Sequence, residues 1–508
     1  MKVLGYDISI NREQKQVEQT KAYLSTSGTW GAGYTKSFDG EKNVGEIGPI
    51  IDYRLDHVRL ASRSWQAYLE SEIAKTVLNR FTIWIVAKGL KLQCSPGKRV
   101  LASEGIKIES EEFNEITEAR FNLWAKSKHS SYSGESNLQD LAKESFKNSK
   151  IAGDNLVVLR YEKGNVNVEI IDTCHLSDVT LGSVVSKGNS LKNGVEVNEK
   201  GKHIAYHVKV KGGKTMRVLA ENKQGLRVAF LVYGGKYRIN NLRGLPIIST
   251  SLETLKKIER YKEAAVGSAE ERQKIAYAIV HNQFSDGTNP LGDKLNSFFD
   301  ADNENNMSSP HSSDGEALAN KVAASTNKQV FNMTQGSDLK SLESKNEMFF
   351  KEFYETNANI ICASIGIPPN VAFSLYNDSF SASRAATKDW EHTISFERDS
   401  FQNQFYDRVY AFWLHTEILN GKIQAPGYLV AFNNGNWMVT ESYLNARFTG
   451  PMFPHIDPVK EVKAERAKLG KEADSIPLTS VEAATESLMG GDSDSNMEQF
   501  SKELEKAK

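Results

Sequence analysis

Cysteine is scarce. Three in 508 residues, at positions 94, 174 and 362, cannot build a disulfide framework or a four-cysteine zinc site. An excess of either charge is also missing: Lys+Arg number 63 and Asp+Glu 64, a net −1, so bulk electrostatics do not mark a nucleic-acid binder. The most apolar run, FTIWIVA at 81–87, is bracketed by Arg80 and Lys88. It falls well short of the ~18 residues that a spanning helix needs. The opening MKVLGYDISINREQKQ has no apolar core of signal-peptide length, so a cytoplasmic setting and no membrane are expected. What is there, 39% hydrophobic and 25% charged residues, is the profile of a globular chain. Its length predicts about three domains of ~150 residues or one large elaborated one.

Residues 1–56, rich in Gly, Ser, Thr and Tyr, sustain no period and read as an extended arm or a frayed terminus. A helical pattern over 57–88 carries Leu60, Trp65, Tyr68, Ile73 and Val77, and Gly89 stops it. Further helices are expected over 110–126 and 137–152. The middle is β, with short runs at Leu156–Arg160, Val166–Ile171, Val195–Val197, Ile204–Val210 and Val228–Val232. Asn193-Gly194 and Lys211-Gly212-Gly213 supply turns, and the pattern predicts an antiparallel sheet or small barrel. From 250 to 281 a helical stripe runs from Leu252 to Ile279. At ~1.5 Å per residue it would reach ~45 Å. Residues 283–336 are poor in apolar groups and carry seven acids against three lysines, too little to fill a core alone. A helix over 340–364 ends at Gly366-Ile367-Pro368-Pro369. After a loop, Trp390, Ile394, Phe401, Phe405, Val409, Phe412 and Trp413 mark one face of a helix of ~50 Å over 384–419. A β-like piece at Tyr428–Phe432, a turn at 449–454, a charged helix from Asp457 and an acidic tail follow. The 471–508 tail has four lysines against nine acids.

Signs of catalysis are weak. Gly212-Gly213-Lys214-Thr215 resembles the end of a phosphate-binding loop, but Val208 stands where the pattern needs glycine, and strands flank it. A hairpin turn is the simpler reading. His203 and His207 lie four apart on a β pattern with no glutamate after the first, unlike a helical zinc-protease motif. Cys174-His175 are adjacent on an extended segment and point to opposite faces. Glu109, Glu111 and Glu112 read as a solvated helix start. No catalytic constellation, metal site or cofactor motif is expected.

Helices of this length leave stripes that one small core does not cover. Packing of identical subunits in a closed ring covers them, and so does a long hairpin within one monomer.

Four separated stretches carry a resemblance to a known family. They are Asn79-Arg80 with Lys88-Gly89-Leu90-Lys91-Leu92; Arg243-Gly244-Leu245-Pro246 before Leu252, Leu255 and Tyr261; Phe380-Ser381-Ala382-Ser383-Arg384-Ala385-Ala386 with Trp390; and Thr449-Gly450-Pro451 with Ile456-Asp457-Pro458-Val459-Lys460-Glu461. In this order over residues 57–500, the chain resembles the lambda-type portal proteins of tailed bacteriophages. It departs from the family pattern at Met452-Phe453-Pro454-His455, where a Gly-rich turn is usual, and its clip has no matching motif.

The resemblance implies an α+β portal architecture assembled as a ring, a dodecamer in this family. The expected regions are an N-terminal arm (1–56), a wing (57–249), a first stem helix (250–282), a clip (283–336) and a second stem helix (337–365). A channel loop (366–383), a long wing helix with a closing β/turn region (384–470) and an acidic C-terminal tail (471–508) complete it. The implied role is structural, not enzymatic: a ring at one capsid vertex that nucleates head assembly, docks the terminase motor and conducts double-stranded DNA in packaging and ejection. Implied partners are other copies of the chain, the terminase large subunit, the major capsid or scaffold protein, a head-completion adaptor and DNA held without sequence preference. The implied location is the virion, after assembly in the host cytoplasm. A phosphate-ester hydrolase or nuclease using Lys214 with His203 and His207, and a head–tail adaptor ring, are the competing readings.

A translocating duplex carries one charge per ~1.7 Å and must not stick, so a near-neutral chain with an acidic insertion suits a repelling lumen. A ring multiplies each subunit's charge. Asn377, Ser379, Ser381, Ser383 and Lys388 are the expected channel-loop residues. Lys256, Arg260 and Lys274 are the candidates for basic stem positions that centre the duplex, unless they pair with Glu253, Glu259 and Glu270 at helical spacing. Arg243, Gly244, Pro246, Arg384, Trp390, Gly450, Pro451, Asp457 and Pro458 are expected to act structurally.

Overall fold

The computed structural model describes residues 57–162, 164–176, 185–210, 214–236, 238–239, 241–279, 350–375, 380–450, 458–470 and 477–489, together with short pieces at 2–3, 6–7, 321–323, 329–332, 496–497, 500–501 and 503–505. Most of the expected arm and clip, and residues 376–379 of the channel loop, therefore lie outside the described residues. The chain divides into two compact units, 1–255 with 359–508, and 256–358.

In the larger unit, Lys2–Val3 (β1) and Tyr6–Asp7 (β2) pair antiparallel. The expected 57–88 helix is two helices, α1 (His57–Glu70) and α2 (Glu72–Ile85). Ser71 separates them because its backbone is extended (φ −93, ψ 123), and serine followed by glutamate suits a helix start. Past α2, Ala87 and Gly89 both take positive φ, and a Cβ on Gly89 would press on the Gln139 side chain. Strand β3 (Lys91–Cys94), α3 (Lys98–Ser103), α4 (Ser110–Lys126) and α5 (Leu138–Ala152) follow. The Asn137 side chain caps α5 by accepting from the Asp140 N–H at 2.9 Å.

The β region forms two antiparallel sheets. Strands β4 (Asp154–Glu162), β5 (Asn165–Asp172) and β10 (Ala229–Tyr233) form one, ordered β10-β4-β5. Strands β6 (Ser190–Lys192), β7 (Val195–Val197), β8 (His203–Lys209) and β9 (Thr215–Leu219) form the other in sequence order. Asn193 and Gly194 both have positive φ between paired Lys192 and Val195, the two-residue hairpin turn that this dipeptide favours. Alternation along the strands sets the packing: Leu156, Val158, Ala229 and Leu231 meet Val195, Val197, Tyr206 and Val208 in one core between the sheets.

Helix α6 (Leu252–Lys274) begins in the larger unit and continues into the smaller. It stops short of the expected residue 281: Ile275–Ile279 is strand β11. The run Ile-Ala-Tyr-Ala-Ile alternates with a period of two, and that wins over continuing the helix. Strand β11 pairs in parallel with β13 (Gln329–Asn332), which also pairs antiparallel with β12 (Lys321–Ala323). Helix α7 (Phe350–Ile365) meets α6 within the smaller unit, where the Tyr261 ring lies 5.6 Å from Phe350 and 4.6 Å from Phe353.

After the short α8 (Pro369–Phe373), the expected long helix is present with a defect. Helix α9 (Phe380–Phe401) passes through a π-helical turn at Gln402–Tyr406 into α10 (Asp407–Leu419). Its buried rings form a continuous aromatic core: Trp390 on Phe81, Phe401 on Phe146, Tyr406 and Tyr410 on Phe448, and Trp413 on Phe121. Helices α11 (Tyr428–Asn434) and α12 (Trp437–Leu444) follow, so Tyr428–Phe432 is helical and not a strand. Gly427 and Gly435 bound it with positive φ, and Tyr428 and Ala431 bury one face at helical spacing. Strand β14 (Ala446–Thr449) pairs with β3, and α13 (Pro458–Lys468) and α14 (Val481–Met489) close the described chain.

Candidate functional site

The second motif stretch lies at a buried junction. Arg243 donates through Nε and Nη2 to both Asp154 oxygens at 2.7 and 2.8 Å. Its Nη1 reaches the Asn193 carbonyl at 2.8 Å, and Nη2 also meets the Thr173 hydroxyl and carbonyl. Asp154 accepts further bonds from Thr173 Oγ1 at 2.6 Å and the Gly244 N–H at 2.8 Å. Both side chains are fully buried. Burial alone would raise the Asp154 carboxyl, but Arg243, Thr173 and Gly244 together hold it below the ordinary value. Gly244 is the residue this junction demands, since a Cβ would overlap the Gly153 carbonyl oxygen. Pro246 lies against the same turn, its Cδ 3.0 Å from where a Gly153 Cβ would stand.

The other motif stretches meet around α2 and α9. Arg398 donates to the Trp84 and Ile85 carbonyls at 3.0 and 2.9 Å, closing the C-terminal end of α2. A Cβ on Gly450 would press against that guanidinium. Trp390 is buried with its ring 5.6 Å from Phe81. Beside it, Lys150 donates to Glu397 at 2.7 Å and the Gly234 carbonyl at 2.8 Å, with its ammonium over Phe146. The side chain of Arg384 and residues Pro451 and Asp457 lie outside the described residues, and Pro458 is the first residue of α13.

The expected DNA-facing residues are only partly described. Asn377 and Ser379 lie outside the described residues; Ser381 and Ser383 fall in the first turn of α9, with side chains that are not described. Lys388 is exposed and donates to Glu391 at 2.8 Å. Lys256 and Arg260 are exposed one turn apart on α6, and neither forms an ion pair with a described residue; Lys274 ends that helix. The competing possibility, pairing with Glu253 or Glu259, is not seen for the first two among the described residues.

The motifs that suggested chemistry lie in or beside the two β sheets. Lys209 pairs with Thr215, so the Gly212-Gly213-Lys214 segment joins β8 to β9, although 211–213 lie outside the described residues. A register shift in β8 sends the two histidines to different partners: His203 to the Tyr206 hydroxyl at 3.0 Å and buried His207 to Glu196 at 3.1 Å. Glu196 also accepts from Arg217, Asn189 and the Ser186 N–H, bonds that outweigh burial and hold it below its ordinary value. Burial, with Asp172 beside it, pushes the Cys174 thiol up to about 11, away from nucleophile range. Among the described residues, no cluster of His, Cys, Asp or Glu is arranged to hold a metal, and no helix is long and apolar enough to cross a membrane.

Sequence reasoning missed a pocket of about 630 Å3 against α10 and α12, lined in part by Arg227, Asp407, Arg408, Phe412, Trp437 and Glu441. No sequence motif marks it: its lining comes from separated stretches around residues 97–100, 226–227, 407–412 and 437–446.

A search of curated proteins returned no match. Solved structures similar to the chain include one from the virion of a native gene transfer agent particle, at 12% identity and TM-score 0.40, over 86% of this chain and 94% of that one. A second, from the neck of an empty particle of this kind with C6 symmetry, stands at 11% and 0.39, over 86% and 94%. The sequence profile of the phage portal proteins of the lambda family matches residues 47–398. That span takes in three of the four motif stretches and more than half of the sequence, and the chain belongs to the lambda family of phage portal proteins.

Proposed function

We propose that the chain is the subunit of a portal ring at one capsid vertex. The ring nucleates head assembly, docks the terminase large subunit, conducts double-stranded DNA during packaging and ejection, and joins a head-completion adaptor. The family match over 47–398 carries the reading. In this reading the chain works without catalysis of its own, in the virion and, during assembly, in the host cytoplasm.

The regions follow the sequence boundaries. Residues 1–56 form an arm. The two β sheets and α1 to α5 belong to the wing (57–249), with 384–470 completing it and 471–508 as the acidic tail. The stem helices are 250–282 and 337–365, the clip 283–336 and the channel loop 366–383. The division of the chain at 255/256 and 358/359 lies within a few residues of the outer stem boundaries and supports a stem–clip unit built apart from the wing. The Tyr261 contacts with Phe350 and Phe353 are what two adjacent stem helices require.

The site residues follow. Lys256, Arg260 and Lys274 centre the duplex, with Lys388 and the polar channel-loop residues Asn377, Ser379, Ser381 and Ser383 beside the phosphates. Lys256 and Arg260, without an ion pair among the described residues, can meet phosphate, whereas Lys388 shares its charge with Glu391. The nine motif residues from Arg243 to Pro458 hold the fold. Negative-stain imaging of purified protein tests the reading: rings with a central hole, twelvefold in class averages, are expected, and a monomer at high concentration overturns it.

A further inference from the structure

The pocket against α10 and α12 holds two arginines, Arg227 and Arg408, beside two carboxyls, Asp407 and Glu441, with which neither forms an ion pair among the described residues. Arg408, in the first turn of α10, lays its guanidinium over the Phe230 ring at 5.0 Å. Among the described residues it makes no hydrogen bond and no ion pair, although a guanidinium carries five N–H donors and its charge is partly buried. Arg227 lines the same pocket. It donates to the Ala229 carbonyl at 3.0 Å, the Tyr206 hydroxyl at 3.2 Å and the His203 carbonyl at 3.4 Å, and the one carboxylate it pairs with among the described residues, Glu221, is at 3.5 Å. Glu221 is also claimed by Lys202 at 2.8 Å. Lys236, which does not line the pocket, lies over the Tyr233 ring. Their combined field registers on His203: burial first, then Arg227, Lys236 and Arg408, push its imidazole down to about 4.

Two carboxyls share the pocket; Asp407 interacts electrostatically with Arg408, but among the described residues neither carboxyl forms an ion pair with either guanidinium. Burial, reinforced by Glu441, raises the Asp407 carboxyl, and the Gln402 amide already donates to its Oδ1 at 3.2 Å. Glu441 is exposed, and water screens it. Two guanidiniums that repel each other are best matched by an anion of charge near −2. A phosphate monoester supplies that and accepts the planar fork; a carboxylate or a phosphodiester carries only −1. The volume exceeds that of a bare ion, and the exposed Trp437 at the pocket offers an aromatic face to the rest of a ligand.

We propose that this pocket binds a phosphate monoester or inorganic phosphate, with Arg408 as its bidentate donor and Arg227 as the second charge.

The test is thermal melting of the full chain in chloride buffer, with inorganic phosphate titrated at constant ionic strength. A saturable rise in Tm is expected. Arg408→Gln should weaken apparent affinity at least ~10-fold, since hydrogen bonds to a charged group are worth ~1.5–3 kcal/mol. Lys214→Ala, an exposed lysine elsewhere, should leave the curve unchanged. If Arg408→Gln does not fold, Arg408→Lys carries the test, since it keeps the charge but loses the fork, and weaker binding is expected. Identical curves for wild type and the Arg408 variants, or a rise that never saturates, overturn the proposal. A mononucleotide should compete with phosphate. Displacement by a 20-base-pair duplex and not by the mononucleotide overturns the monoester assignment in favour of the DNA backbone.

Discussion

Arg243 and Asp154 show how much one sequence motif can conceal. Arg-Gly-Leu-Pro is visible in the sequence, but its partner Asp154 lies 89 residues earlier, at the start of β4. The glycine reads as a turn until the structure places it against the Gly153 carbonyl. Burying an ion pair gives little net stability, but leaving one partner unpaired is costly. The carboxyl is held below its ordinary 3.8, so its stabilisation is complete above that pH and is lost as the pH falls further, through the folded-state value. Glu196 adds the same sign of dependence below its ordinary 4.5. Asp154→Asn should therefore cost ~3–5 kcal/mol at pH 7 by stranding Arg243. Between pH 5 and pH 2.5 its melting temperature should fall less steeply than that of the wild type. Melts over that range decide: parallel slopes would mean that Asp154 contributes nothing to acid sensitivity.

At the scale of elements, periodicity located most helices because their apolar stripes are local. Helices α4 and α5 lie where the sequence placed them, and Asn193-Gly194 forms its hairpin. Failures occurred where one local signal overrode another. Ser71 breaks a continuous stripe, Ile275–Ile279 alternates inside a helical one, and Tyr428–Phe432 has β-rich composition between two helix-bounding glycines. The π turn was illegible because its cause is tertiary. Gln404 accepts the Tyr233 N–H at 2.7 Å at the edge of β10, and Gln402 accepts the Phe448 N–H of β14 at 3.0 Å. Two glutamines on one widened turn thus satisfy the edges of two sheets, a use of backbone irregularity that a regular α turn would not allow. Gln404→Leu should destabilise by ~1–3 kcal/mol, the cost of an unpaired buried N–H. Amide exchange should accelerate in a peptide covering 229–233 and stay unchanged over β6 to β9. Uniform exchange across both sheets would show that the glutamine does not hold β10 in place.

At the scale of the whole molecule, the near-zero net charge conceals a polarised sequence: the 283–336 insertion and the 471–508 tail are both acidic, so the remainder is basic. In the proposed ring, each imbalance would repeat with every subunit, and acidic surface there would keep a duplex from adhering. The insertion is legible in the sequence by its poverty in apolar residues, whereas the limits of the smaller unit fall inside the helices Leu252–Lys274 and Phe350–Ile365, where the stripes carry no mark of them. The sequence did not show what the insertion contacts, because solvated acidic residues carry no pattern specific to a partner. If 283–336 serves the motor and adaptor and not the ring contacts, removing 290–330 should leave subunits that still form rings by negative stain. Those rings should fail to support packaging when supplied with terminase, capsid shells and DNA. Packaging at the wild-type rate would move motor docking out of the insertion, whereas loss of rings would assign the insertion to subunit association.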